Sequence, residues 1–147
     1  GSPQYMVLLS EKHPFAGENA GFTSGTPWLP VNENHSFVNA ESALADDHSV
    51  FHYYRRLIAL RKQYSVFRDG SFALQDAEDP NIFAYTRDTE TAHLLVVCNF
   101  TENQLPYELP DRFHGSRLLL SNYDTDAPGL RPYEAAIFYY NSSERSK

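Results

Sequence analysis

Hydrophobic and polar positions fall into three regimes along the chain. From Pro3 to Asn39 no period of 2 or 3.6 is sustained, and Pro14, Gly17, Gly21, Gly25, Pro27 and Pro30 interrupt the backbone, so this stretch is predicted as a long loop region. Connections inside compact domains usually run about 4–6 residues, so a loop of this length is expected to be ordered by something outside itself. At Asn39 an N-cap residue type precedes a short run of helix formers, and Asp46 and Asp47 are placed to cap a second segment beginning near Ser49. That segment, Val50 to Lys62, is the clearest helix: Val50, Tyr53, Tyr54, Leu57, Ile58 and Arg61 recur at spacings of 3 and 4, and basic residues gather in the last turn, where they suit the dipole. Its apolar stripe calls for a partner surface.

Beyond Tyr64 the rhythm becomes short β-type runs separated by turn residues, which predicts an antiparallel β-sandwich of about six strands. The runs are Ser71 to Gln75, Ile82 to Arg87, Leu94 to Phe100, Gln104 to Leu109, Arg117 to Ser121 and Ala135 to Tyr140. Asp69-Gly70, Asp79-Pro80-Asn81, Asp111 to Gly115 and Asp126 to Gly129 break them. A domain boundary is expected between Val66 and Gly70, and the polar end after Asn141 is expected to be a disordered tail.

Composition narrows the classes. The 147 residues suit one domain, or one domain and a piece of another, and 41% hydrophobic residues with 14% aromatics supply a core. A formal net charge of -7 disfavours nucleic acid and anionic membrane surfaces as partners. The longest apolar runs, Leu94 to Cys98 and Ala135 to Tyr140, fall far short of the roughly 20 residues of a membrane-spanning helix. One cysteine, Cys98, makes no internal disulfide, and no leader pattern opens the chain, so a cytoplasmic setting is expected. Gly1-Ser2 reads as the scar of a removed tag.

Several constellations could carry chemistry. His48 and His52 stand four apart on a helix, the spacing of paired zinc ligands, but no glutamate lies between them and no third ligand follows nearby, so the metal assignment is none. Asp46, Asp47 and Glu41 could form a carboxylate cluster, yet the helix N-termini beside them attract acids by about 0.3–1 kcal/mol each, and capping explains them. Cys98 sits in an apolar run as an inert buried thiol. Arg55 and Arg56 flank the helix tyrosines and are read as edging the apolar stripe with their stems. Trp28, between Pro27 and Pro30, is the one tryptophan; its ring could stack on the C–H face of a sugar or tuck into a core.

The run Asn19-Ala-Gly-Phe-Thr-Ser-Gly-Thr-Pro-Trp-Leu-Pro-Val-Asn resembles a stretch of the oligo-1,6-glucosidase and trehalose-6-phosphate hydrolase group of the α-amylase superfamily. Ser42 to Lys62 is similar to the last barrel helix of those α-glucosidases, and Ile82 to Arg87, Leu94 to Phe100 and Leu130-Arg-Pro-Tyr-Glu-Ala are similar to strands of their C-terminal β-sandwich. The resemblance implies a mainly β fold: an antiparallel sandwich preceded by a long loop and an amphipathic helix from the end of a (β/α)8 barrel. It divides the chain into an uncertain segment with the scar (1–17), the barrel's end (18–65), the sandwich (66–141) and a tail (142–147). Met6 to Phe15 departs from the family's usual run ahead of the Asn-Ala-Gly-Phe block.

The resemblance also sets functional expectations. Retaining glycosidases use two carboxyl groups about 5–5.5 Å apart. No position here matches the family's nucleophile, acid/base or third aspartate motifs, so the chain is expected to carry no catalytic residue and to be inactive alone. Asn19, Gly21, Phe22, Pro27 and Trp28 lie in the family's loop toward the barrel mouth, which makes Trp28 the candidate for sugar binding. The expected partners are an oligosaccharide substrate of the parent enzyme and the barrel itself, with no cofactor. Two alternatives stand beside this reading: a glucan-binding sandwich using Trp28, Tyr107 or Tyr123, and a non-catalytic, glucosidase-like interaction domain.

Overall fold

The computed structural model describes residues 18–21, 23–124 and 128–144. The calls on residues 1–17, on Phe22, on 125–127 and on 145–147 lie outside the described residues. The chain divides into two compact units, 1–55 and 56–147, and the division falls within its longest helix.

In the first unit, 3-10 turns at Glu18–Gly21 and Glu33–Ser36 flank a stretch from Thr23 to Asn32 with no regular element. Asn19, Ala20 and Gly21 have φ of 55°, 52° and 72°, a left-handed run. The Asn19 amide holds the loop that follows, donating to the carbonyls of Thr23 (3.2 Å) and Gly25 (3.1 Å). Helix α1, Ala40–Ala45, is capped as its sequence predicts: Asn39 Oδ1 accepts from Ser42 N at 2.8 Å, satisfying one of the free N–H groups of the first turn.

Helix α2, Val50–Gln63, follows. Asp46 does not cap it. Its carboxylate accepts from His48 N at 2.9 Å, two residues on, which spends its short reach ahead of the helix. Ser49 occupies the cap position: its hydroxyl accepts from His52 N at 3.4 Å and donates to Ala43 O at 2.5 Å, tying α1 to α2. No α2 residue is buried, and Val50, Tyr54 and Ile58 of the predicted stripe are 73%, 59% and 52% exposed. The stripe has the predicted spacing; Val50, Tyr54 and Ile58 stand largely in solvent, while Tyr53 and Leu57 are half-buried.

The second unit holds helix α3, Val66–Asp69, and one five-stranded antiparallel sheet of order β1-β2-β3-β5-β4. Its strands are β1 Ser71–Gln75, β2 Ile82–Asp88, β3 Ala92–Asn99, β4 Arg117–Ser121 and β5 Ala135–Asn141. β3 is central because it is apolar on both faces: Leu94, Leu95 and Val97 are fully buried and Val96 nearly so. Each such side chain contributes roughly 1.5–3 kcal/mol by leaving water.

Register defines the faces. On one face Phe72, Arg87, Leu94, Tyr139 and Arg117 lie opposite one another across all five strands, and Leu74, Tyr85, Val96, Ile137 and Leu120 make the next row. The other face buries Ile82, Ala84, Val97 and Ala136 with Leu130, and Leu105, Tyr107 and Phe138 pack against that cluster. This second layer is irregular.

Gln104–Leu109, expected as a strand, contributes only an isolated bridge between Leu105 and Leu130, with each N–H donating to the other's carbonyl at 2.8 Å. Leu105 and Leu130 are a hydrogen-bonded antiparallel pair, so the next bonds would fall two residues away on either side, where the facing segment carries Pro128 and Pro132 and has no N–H to donate. The antiparallel, sheet-rich fold with helices N-terminal to it matches the expectation; the missing strand is a local correction. Arg131 to Glu134 likewise form a turn, and the strand similar to the family's begins only at Ala135.

Candidate functional site

In the first unit, the proline-rich loop leaves a concave pocket of about 610 Å³, within the usual range of small-molecule sites of about 300–1,000 Å³. Pro27, Trp28, Leu29, Pro30 and Val38 give it apolar walls, while Asn32, Asn34 and His35 bring polar groups to it. Trp28 is 91% exposed and therefore is not the core aromatic its alternative reading required. Trp28 lies between Pro27 and Pro30 in the stretch that has no regular element. The local polar groups mainly build the wall, because Asn32 O accepts from both His35 N (3.0 Å) and His35 Nδ1 (2.9 Å). Asn19 is engaged with the loop carbonyls, so its role is to shape this loop.

The other residues singled out in the sequence take structural positions. His52 Nε2 donates to Leu44 O at 3.0 Å and lies 3.9 Å from the exposed carboxylate of Asp47. Asp46 bonds the His48 N–H. Among the described residues no group of three or more His, Cys, Asp or Glu is arranged to hold a metal ion. Glu41, Arg55 and Arg56 are exposed on α1 and α2. Cys98 is half-buried on β3 between Phe83 and Ala135, and burial pushes its thiol up from the usual value, away from the reactive thiolate.

Tyr107 and Tyr123, named for glucan stacking, are both half-buried. Burial, with Asp76 nearby, pushes the Tyr107 phenol up to about 12. Tyr123 donates to Pro132 O at 2.8 Å, and the Arg131 guanidinium lies 4.0 Å from its ring centroid. A ring already covered by a cation offers a sugar no free stacking face there.

Two polar clusters escaped the sequence reading. Glu134, 6% exposed, accepts from Arg131 Nη2, Nε and N at 2.8, 3.0 and 2.9 Å and from Ser121 Oγ at 3.1 Å. The hydrogen bonds from Arg131 outweigh burial and hold its carboxyl below the usual range. At the opposite end of the sheet, Asp88 accepts from His93 Nδ1 at 2.8 Å and from Arg112 Nη1 and Nη2 at 3.1 and 3.3 Å. Burial alone would raise the Asp88 pKa, but these bonds outweigh it and the net shift is downward. The His93 ring stacks on Tyr140 at 4.5 Å, so this Asp–His pair is packed into the sheet end as a pin. Asp88 and His93 flank the Thr89–Thr91 turn of the β2–β3 hairpin, a register visible in sequence only after both strand ends are known.

Comparison with known proteins agrees with this architecture. The α-amylase catalytic-domain family model matches residues 10–70. The oligo-1,6-glucosidase of Heyndrickxia coagulans is 48% identical over 123 residues, covering 82% of this chain and 22% of that protein. Among solved structures, the trehalose-6-phosphate hydrolase of Bacillus licheniformis is 37% identical with a TM-score of 0.77, covering 84% of this chain and 24% of its own. A mutant isomaltulose synthase from Erwinia rhapontici NX5, solved with its natural substrate sucrose, is 34% identical with a TM-score of 0.78 over 84% of this chain and 23% of its own. The chain belongs to the α-amylase family, and within it to the oligo-1,6-glucosidase and trehalose-6-phosphate hydrolase group of glucosidases. It spans less than a quarter of the length of these relatives. Among the described residues no helix is long and apolar enough to cross a membrane.

Proposed function

We propose that the chain is the accessory, structural portion of a retaining α-glucosidase acting on short α-linked glucosides in the cytoplasm, with residues 18–65 finishing a catalytic barrel and 66–141 forming the domain that follows it. The observation that carries this reading is the 48% identity to an oligo-1,6-glucosidase across the loop, helix and sheet together. The catalytic carboxylates belong to parts of the family absent from these residues. The acids that are well placed here are committed elsewhere: Asp46 to a turn, Glu134 to Arg131 and Asp88 to His93 and Arg112. Trp28, with the pocket beside it, is the side chain we assign to a sugar, its exposed ring offering an apolar plane to the C–H face of glucose.

Hydrolysis of p-nitrophenyl α-glucoside by the chain tests the catalytic half of this reading, run beside a heteronuclear NMR spectrum that establishes folding. A dispersed spectrum with no turnover is expected. Turnover that survives repurification would overturn it and return the acids of α1 and its flanks to consideration.

A further inference from the structure

The loop that carries Trp28 begins at a turn the backbone adopts only under constraint. Asn19, Ala20 and Gly21 all take the left-handed conformation, with φ of 55°, 52° and 72°. Glycine enters that region freely and asparagine with some ease, but alanine holds it only where its surroundings enforce it. Ala20 is 7% exposed and lines the pocket beside Trp28. Strained residues of this kind cluster at ligand sites.

The turn directs the Asn19 side chain along the loop. Its amide donates to Thr23 O at 3.2 Å and to Gly25 O at 3.1 Å, and Gly25 N donates to Thr23 Oγ1 at 3.1 Å, so the approach to Pro27 is tied down. At the other end of the pocket, Asn39 Nδ2 donates to His35 O at 2.9 Å and His35 N to Asn32 O at 3.0 Å. Between these anchors Thr26 to Val31 form no helix or strand, and they present Trp28 to solvent. A ring on an untethered loop loses freedom when a ligand settles on it, whereas a ring on a loop already held loses less and binds more tightly.

We propose that Asn19 is a positioning residue for sugar at Trp28. It does not line the pocket; its amide fixes the loop so that the ring is preset to receive a glucosyl unit. This rests on the reading of Trp28 as the sugar-binding side chain.

Two variants of the full chain test it. Asn19→Gly keeps the left-handed backbone and removes the amide, while Asn19→Asp keeps the shape of the side chain but, ionised, has no N–H to donate. Trp28 is the one tryptophan, so its fluorescence reports this loop alone. In both variants the isomaltooligosaccharide dissociation constant read from Trp28 is expected to rise about fivefold or more, the scale of two ordinary hydrogen bonds lost. Time-resolved anisotropy of Trp28 without sugar should gain a nanosecond component in both, the signature of a freed loop. The thermal midpoint of the sheet, followed by circular dichroism, should move by less than about 2 °C. Parent-like affinity in either variant, unchanged anisotropy or a larger fall in the midpoint overturns the positioning role and leaves Trp28 as the sugar site. A parent chain whose Trp28 fluorescence ignores millimolar sugar overturns the sugar reading, and the positioning role falls with it.

Discussion

Arg131 grips Glu134 through both carboxylate oxygens, Nη2 to Oε1 at 2.8 Å and Nε to Oε2 at 3.0 Å, while its own backbone N–H adds a third bond to Oε2 at 2.9 Å. Only three residues apart, the two fold the chain back on itself ahead of β5. Pro132 O receives the Tyr123 hydroxyl, and Tyr133 takes a φ of 53° in the same turn. The ion pair stands at the entrance to β5, one residue before Ala135 pairs with Cys98 of β3.

Glu134→Gln should be strongly destabilising. It keeps the size of the side chain but leaves a guanidinium with only 15% side-chain exposure facing a neutral amide, and stranding one partner of a buried pair costs roughly 3–5 kcal/mol. Urea denaturation followed by circular dichroism reads the loss. A change below about 1 kcal/mol would mean that the pair is screened by water and does not hold the turn.

Acid should undo the same contact. The carboxyl of Glu134 is held below its ordinary value of 4.5 in the folded state, so its contribution is fully present above that pH and disappears as pH falls through the depressed value. Asp88, depressed below 3.8, acts in the same direction. The urea midpoint should decline between about pH 5 and about pH 2, and less steeply in Glu134→Gln than in the parent. Parallel declines would assign acid lability to other groups.

Gly129→Ala should disrupt the second layer. Gly129 has φ of +74°, and a Cβ there would collide with the carbonyl oxygen of Leu105, the same atom that accepts from Leu130 N at 2.8 Å. Strain of this kind costs about 1–3 kcal/mol, to which the damaged bridge adds. Hydrogen exchange at the Leu105 and Leu130 amides should accelerate in the variant; unchanged protection would show that the layer is held by Tyr107 and Pro106 instead.

Trp28→Ala should separate binding from folding. With the ring 91% exposed, truncation is expected to change the unfolding free energy by less than about 0.5 kcal/mol. In the parent chain, isomaltooligosaccharide should change Trp28 fluorescence. A titration flat through millimolar sugar would remove Trp28 from the sugar-binding assignment.

Much of this was written in local sequence because its causes are local. Asn39 caps α1 through a side chain that accepts from an N–H three residues on, α2 follows the 3 and 4 spacing from Val50, and β1 and β4 begin and end where the turn residues put them. The family could be read from the Asn19 to Asn32 run and the α2 block before any coordinate. What the sequence could not decide were outcomes of competition between distant segments. Gln104 to Leu109 has strand character, but a ladder needs donors in register on both sides, and Pro128 and Pro132, two residues either side of Leu130, withhold them. Trp28 could have been core or surface by its residue type; only the packing of its loop leaves it exposed. Glu134 and Asp88 look like ordinary surface acids in sequence, because burial and the approach of Ser121 or Arg112 depend on strand pairing across 13 and 24 residues. Periodicity and capping act within one or two turns of chain and are legible there, whereas exposure and charge pairing are properties of the surface that folding assembles.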